Sequence, residues 1–377
     1  MGVIKFDVIT VGAGVMGLSI AAELAENGLK VAVIDRDEAE RHASFKAGGM
    51  LGAQNEFYGD SPSFRLARAS RAYFKPLSES LLETTGIDIE YRETGLIKIA
   101  DSSEDAENIR RQHAFLNGHN EKVQLLDENA VLDLSNQFLR PNEHPAMLIP
   151  ADGQVNANKY TRALTERALI NGVTRIGHTE VLSIERLGES YTVKTSKGIM
   201  HAGKVVVTAG AWAQELIEPF GVQSSITGVK GEVMLLEHPG VRMDHTLFMT
   251  NGCYIIPKRN HRFLLGATSL FNDYSAGMTD AGEAWLWKEA LRRLPRLKGA
   301  NVLMKTSGIR PYTPDAAPVM DEVHDGLFLV GGHYRNGILL SPITGRLMSK
   351  WIIRGGRPEG LQEFTIERMK TDAMHHQ

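Results

Sequence analysis

The stretch Phe6-Asp7-Val8-Ile9-Thr10-Val11-Gly12-Ala13-Gly14-Val15-Met16-Gly17 decides the fold. Phe6 to Val11 is short, apolar and β-branched, and reads as a buried strand. Glycines follow at the spacing Gly-x-Gly-x-x-Gly. Leu18, Ala21, Ala22, Leu24 and Ala25 then recur at helical spacing until Asn27-Gly28 stops the run. Val31 to Ile34 reads as a second buried strand, and it ends on Asp35. Strand, glycine turn, helix, strand and acid, in that order, predict a dinucleotide-binding βαβ unit. Gly12 allows the tight turn. Gly14 lets a pyrophosphate approach the backbone at the helix N-terminus. Gly17 lets helix and strand pack closely. Asp35 is placed to accept hydrogen bonds from a ribose diol, and its charge repels a 2′-phosphate. The spacing alone does not separate FAD from NAD.

Downstream, Ser44-Phe45-Lys46-Ala47-Gly48-Gly49-Met50-Leu51-Gly52-Ala53 is small and glycine-rich. A backbone with few side chains suits a large flat ring system. Arg41 and Ser44 lie within reach of phosphate or ribose. From Phe64 the pattern turns helical, Thr94 to Ala100 reads as a strand, and a charged helix starts near Ser103. A turn at Asp152-Gly153-Gln154-Val155 precedes a helix from about Asn158 to Leu169. Thr179 to Glu185 and Tyr191 to Thr195 read as strands. Val205 to Val207 reads as a further parallel strand of the nucleotide sheet. It breaks on Ala209 and Gly210, beside Trp212, with its C-terminal end toward the ligand. Val229 to Leu236, Cys253 to Pro257 and Arg262 to Ala267 have the pattern of an antiparallel sheet, a natural wall for a substrate pocket. Leu327 to Val330 is a buried strand. Ser341-Pro342 reads as N-cap and first residue of a helix reaching about Ile353.

The expected fold is therefore an α/β FAD-binding domain, Rossmann-like, plus an α+β substrate domain with an antiparallel sheet. The FAD-binding domain takes residues 1–82, 146–217 and 305–365. The substrate domain takes 83–145 and 218–304. The 377 residues suffice for both. A formal net charge of −3 gives no bulk attraction to nucleic acid or to an anionic membrane. The single cysteine, Cys253, excludes an intrachain disulfide and reads as a buried small hydrophobe. No metal site is expected. No apolar run approaches the roughly 20 residues that span a bilayer, and Lys5 and Asp7 do not begin a signal peptide. A cytoplasmic location is the default.

Several blocks carry a family resemblance. They are Val11 to Gly17, Ala47 to Ala53, Pro150-Ala151-Asp152-Gly153-Gln154-Val155, Val229-Lys230-Gly231-Glu232, Gly252-Cys253-Tyr254-Ile255-Ile256-Pro257 and Gly308-Ile309-Arg310-Pro311. The most specific is Gly332-His333-Tyr334-Arg335-Asn336-Gly337-Ile338-Leu339-Leu340-Ser341-Pro342. Together they resemble the glycine oxidases of the D-amino-acid oxidase and sarcosine oxidase superfamily, associated with thiamine biosynthesis. The resemblance covers nearly the whole chain and implies that the FAD-binding domain is of the GR2 type.

It implies noncovalent FAD, since the only cysteine lies away from the position where some relatives anchor the flavin. It implies that Arg310 and Tyr254 hold a substrate carboxylate, and that Gly49, Met50 and Arg335 lie beside flavin and substrate. Implied cofactor contacts are Gly12, Gly14, Val15, Met16, Asp35, Arg36, Ser44, Ala47, Gly48, Gly49, Met50, Val181, Ala209, Gly210, Trp212, Arg310 and the turn Arg335-Asn336-Gly337-Ile338-Leu339. The implied reaction passes the Cα hydrogen of a small amino acid to the flavin. O2 is then reduced to hydrogen peroxide and the imine hydrolyses. A homotetramer is the family precedent. Phe45-Lys46 replaces the small residues usual before Gly-Met, and Gly252 and Ser269 replace larger pocket residues of some members. His333 sits in the flavin turn and reads as structural. A flavin dehydrogenase with another electron acceptor, a non-catalytic flavin-binding subunit and an NAD-dependent dehydrogenase are the alternatives.

Overall fold

A computed structural model describes residues 5–140 and 143–369. Five parallel strands form the first sheet, in the order Thr174–Ile176, Val31–Ile34, Lys5–Val11, Gly198–Val207 and Leu327–Gly331. Val319–His324 adds an antiparallel edge. A hairpin of Val181–Leu187 and Ser190–Thr195 branches from the start of Gly198–Val207. Val8–Val11, Val31–Ile34, Val205–Val207 and Leu327–Gly331 are buried and almost wholly apolar, because both faces are covered there. Val8, Val31, Val33 and Val206 pack under the helices Val15–Glu26, Ala157–Ile170 and Gly337–Arg354. Ile9, Ala32, Ile34 and Val205 point to the opposite core, with Tyr191 and Leu216.

The register makes the ligand end of this sheet level. Val11 lies opposite both Ile34 and Val207, so the chain leaves three neighbouring strands together at Gly12, Asp35 and Thr208. Gly12 turns at φ +111°, and a Cβ on Gly17 would stand 1.9 Å from the Gly12 carbonyl oxygen. No side chain fits there, so the helix can start directly against the strand end.

The second sheet runs Leu270–Phe271, Thr227–Glu237, Arg262–Gly266, Tyr254–Lys258, Thr246–Met249, Leu96–Ile99, Ala146–Ile149 and Gln124–Leu126, with Asn301–Tyr312 also paired to Thr227–Glu237. It is antiparallel except where Thr246–Met249 runs parallel to Leu96–Ile99. Asp280–Arg293 covers one face and Ser103–Gly118 the other. The expected break at 146 coincides with the first residue of a strand of this sheet, and that at 305 falls inside Asn301–Tyr312. Among the described residues no helix is long and apolar enough to cross a membrane.

One expected helix start is corrected. The last long helix begins at Gly337, four residues before Ser341, and carries Pro342 inside it. Proline removes the N–H that would bond to the Ile338 carbonyl. The Ser341 hydroxyl replaces it, donating to that carbonyl at 2.8 Å. Its one hydrogen is then used, so the Tyr160 hydroxyl, 2.8 Å away, donates to Ser341. All of these groups are buried. Ser341→Ala should therefore cost about 1–3 kcal/mol, the penalty of stranding a buried polar group. Urea unfolding midpoints measure this, and an unchanged midpoint would refute the role.

Candidate active site

A single long cavity of about 750 Å³ runs from the glycine turn of the first sheet to the face of the second. That volume lies in the upper part of the roughly 300–1,000 Å³ range of ligand pockets. At one end Gly12, Gly14, Val15 and Met16 line it, with Asp35, Arg36, Val181, Ala209, Gly210 and Trp212. The first-turn amides of a helix have no intrahelical acceptors and carry partial positive charge, so this end suits phosphate. Ser44 accepts from the Val15 amide at 3.2 Å and pins the following segment over the turn. Asp35 accepts from the amides of Ala13 at 2.6 Å and Asp37 at 2.7 Å, and His42 Nε2 lies 3.2 Å away. Burial would raise the Asp35 pKa, but His42 and the two amides together hold it below the ordinary carboxylate value. The carboxylate is thus fixed and ionised before any ribose arrives. Arg36 stacks on Trp212 at 4.7 Å, and Trp212 meets Tyr274 of the second layer edge-on at 6.0 Å.

The middle of the cavity is the loop Ala47-Gly48-Gly49-Met50. It is held by a two-strand ribbon in which Met50 pairs with Gln154 and Leu51 with Gly153. Gly49 sits at φ +77°, and a Cβ there would strike the Val155 carbonyl oxygen at 2.2 Å. Only glycine lets the loop approach this closely.

At the far end stand Tyr254, Arg310 and Arg335. Arg310 projects from Asn301–Tyr312 across Thr227–Glu237, where Gly231 clears its path: a Cβ on Gly231 would lie 2.2 Å from the guanidinium. The Thr268 carbonyl accepts from Arg310 Nη1 at 3.1 Å and sets its plane. Burial lowers the Arg310 pKa, Tyr254 opposes this, and the nearby Arg335 adds to it. Tyr254 pairs across the sheet with Gly266, whose lack of a side chain leaves room for the ring. Burial raises the Tyr254 pKa, against Arg310 and Arg335, so its hydroxyl stays a donor at neutral pH. Arg335, in the turn Tyr334–Asn336, lies 3.8 Å from Glu56. Burial would lower its pKa, but Glu56 leads the groups that raise it.

Every residue expected at the site lines this cavity except Leu339. Leu339 is 1% exposed and packs in the helical core, and its carbonyl accepts from Ser70. The helix starts early, so Leu339 lies inside its first turn and faces away from the cavity. Asn336, Gly337 and Ile338 remain on the wall. His333 is buried there too, and burial pushes its pKa down to about 3, so it is neutral and no proton reservoir. Gly252 and Ser269 are on the wall as well.

The sequence reading missed Asn55, Glu56, His42 and Tyr274, all of which line the cavity. Glu56 had a signal, since it follows the glycine-rich loop directly. Tyr274 had none, because only the folding of the second sheet brings it to Trp212. Among the described residues no cluster of His, Cys, Asp and Glu could hold a metal ion.

Known proteins match this geometry. The chain is 38% identical to a glycine oxidase of Geobacillus kaustophilus over 97% of both chains, and 32% identical to one of Bacillus licheniformis over 98% of this chain and 99% of that one. The crystal structure of the Geobacillus kaustophilus glycine oxidase superposes with a TM-score of 0.93 at 39% identity, covering 96% of this chain and 98% of that one. A family model described as FAD dependent oxidoreductase matches residues 7–351. The chain belongs to the FAD dependent oxidoreductase family, and FAD is its cofactor.

Proposed function

We propose that this enzyme oxidises glycine and related small amines, such as sarcosine and small D-amino acids, with noncovalent FAD and O2. One observation carries the reading. The pair Arg310 and Tyr254 stands at one end of the same cavity whose other end is the glycine turn. The cavity suits FAD. It has a helix N-terminus and a side-chain-free Gly14 for the pyrophosphate, and the nearest atom to a Cβ there would be Ser44 Oγ at 3.4 Å. It also has a fixed carboxylate, Asp35, for the ribose. Gly12, Gly14, Ser44, Arg36, Trp212 and the loop Ala47–Met50 would hold the cofactor. The bound flavin supplies the two-electron acceptor, the chemistry no side chain provides.

The chain's own residues bind and orient. Arg310 offers paired N–H groups to a carboxylate, and Tyr254 adds its hydroxyl. The Thr268 carbonyl keeps the guanidinium from rotating. Gly252 and Ser269 leave room around the Cα, which suits a substituent on nitrogen or carbon. The working state of this reading is a homo-oligomer, the precedent of the resembled family, with the cytoplasm as the default location.

Purified protein should be yellow and should consume O2 and release peroxide with glycine or sarcosine. Dye reduction without peroxide would overturn the oxidase assignment in favour of a dehydrogenase. A flavin that none of a panel of amino acids bleaches anaerobically would overturn the enzymatic reading.

Arg310→Ala should raise KM about 30-fold or more, the loss of a charge-assisted contact of about 2 kcal/mol, while the visible flavin spectrum persists. Tyr254→Phe should raise KM about fivefold, for one neutral hydrogen bond. Steady-state kinetics with glycine at saturating oxygen separates these. An unchanged KM in the Arg310 variant removes that residue from the site.

A further inference from the structure

The strand that carries Tyr254 ends on Lys258, and Lys258 reaches back under the loop Gly48-Gly49-Met50. Its Nζ donates to the Gly48 carbonyl at 2.9 Å and to the Val155 carbonyl at 3.0 Å. These carbonyls belong to the two sides of the ribbon that holds the loop. Val155 also donates its amide to the Gly49 carbonyl at 2.9 Å. The left-handed turn at Gly49 takes the Gly48 carbonyl out of the ribbon's own pairing. A buried carbonyl without a donor is costly. One ammonium, with three N–H groups on a flexible stem, serves both carbonyls where no backbone amide does. Lys258 forms no ion pair among the described residues, so these two bonds are what it is there to make.

We propose that Lys258 is a positioning residue: it fixes the loop Gly48-Gly49-Met50 against Val155 and so sets the gap between that loop and a substrate held by Tyr254, four residues earlier on the same strand. This rests on the reading of the loop as the wall beside the flavin.

The surroundings make the pin sensitive to protons. Burial, with Arg92 nearby, pushes the Lys258 pKa down to about 7, and Glu90 opposes. Glu90 is itself taken by Lys159 at 2.7 Å and Asn156 at 3.2 Å. Of the other cations around the small cavity beside Lys258, Arg259 pairs with Asp88 at 2.6 Å and Arg262 with Glu237 at 3.6 Å, while Lys46 makes no ion pair among the described residues. Among the described residues no acid forms an ion pair with Lys258, and Glu90 acts on it only at a distance. As pH rises through about 7 the ammonium loses its charge, and both carbonyl bonds lose their charge assistance. The loop then loosens.

The test compares wild-type holoenzyme with Lys258→Arg and Lys258→Met by visible circular dichroism of the flavin and by amide hydrogen exchange of residues 46–52, corrected for intrinsic exchange, across neutral pH. In the wild type both signals should change together with a midpoint near 7. The arginine variant stays charged and should hold the low-pH signature throughout. The methionine variant should show the high-pH signature at every pH, with loop amides exchanging about tenfold faster and KM affected more than kcat. Asp152, pushed up to about 7 by burial, titrates in the same range and is intact in both variants. If the arginine variant titrates as the wild type does, the effect belongs to another group of the seam, Asp152 or Lys98, and the proposal is overturned. Equal loop exchange in the methionine variant and the wild type below pH 7 overturns it as well. Either variant decides alone if the other fails to fold. A wild type without flavin absorbance would sink the functional reading instead, and loop exchange, which needs no flavin, would still decide the role of Lys258.

Discussion

The cavity depends on one short contact, the pairing of Met50-Leu51 with Gly153-Gln154. These segments lie about a hundred residues apart and belong to neither large sheet. They form the seam where one layer meets the other. On one side the seam is tied to the second layer: Gln154 exchanges backbone bonds with Arg92 at 2.9 Å, and its side chain donates to the Pro257 carbonyl at 3.0 Å. On the other, Asp152 accepts from the amides of Gln54 and Asn55 and pairs with Arg71. Burial already pushes the Asp152 carboxyl up to about 7, and without these partners it would be left buried with unsatisfied polar atoms, so the seam is built to stay closed. The ribbon also fixes both chain directions at Gly49, which puts the loop between the glycine turn and the arginine end.

Burial of charge without full pairing recurs along this seam. Lys98 is 1% exposed and is held by the Asn55 carbonyl, Tyr58 and Gln112, and burial lowers its pKa to about 8. Gln112 in turn donates to the carbonyls of Gln54, Asn55 and Phe57. Residues 54–58 therefore have no ladder of their own and borrow partners from a strand and a helix of the second layer. That borrowed scaffold delivers Asn55 and Glu56 to the cavity wall. Satisfied networks of this kind specify a single arrangement, because each alternative strands a buried polar group.

Much of this was legible in the sequence, where the information is local. The βαβ unit was readable because its turn, helix and strands are contiguous, and the hairpin Tyr254–Lys258 with Arg262–Gly266 because its turn lies between its strands. The last helix was misplaced by four residues because Ser-Pro is an N-terminal signal by composition. Tertiary packing supplied what the signal could not show, a buried serine that serves the carbonyl proline leaves free. Leu339, which the resemblance places among the cofactor contacts, lies in the helical core, because the helix starts before it. Expected boundaries at 146 and 305 met strands that pair across long separations, which periodicity does not encode. Lys258 and Tyr274 were invisible for a related reason. Their partners are a loop some two hundred residues away and an aromatic ring in the other layer.

On the proposed function, the electrostatics of the arginine end bear on the amine as well as on the carboxylate. Arg310 and Arg335 are close enough for Arg335 to depress the Arg310 pKa. Glu56 is the acid beside them, and at 3.8 Å it is engaged by Arg335. On that reading a substrate carboxylate on Arg310 would balance its charge as Glu56 balances that of Arg335, and the arginine end would close near neutrality. The substrate ammonium would then be a charge in an enclosed site whose acid is already engaged, and burial disfavours the protonated form of a base. Neutral His333 adds nothing that would hold the extra proton. A site whose charges are all matched once the carboxylate is bound would thus favour loss of the ammonium proton to solvent, and a free lone pair is what release of the Cα hydrogen with its electrons requires. Recognition and activation would then be one electrostatic arrangement, with no separate base needed among the residues on the wall.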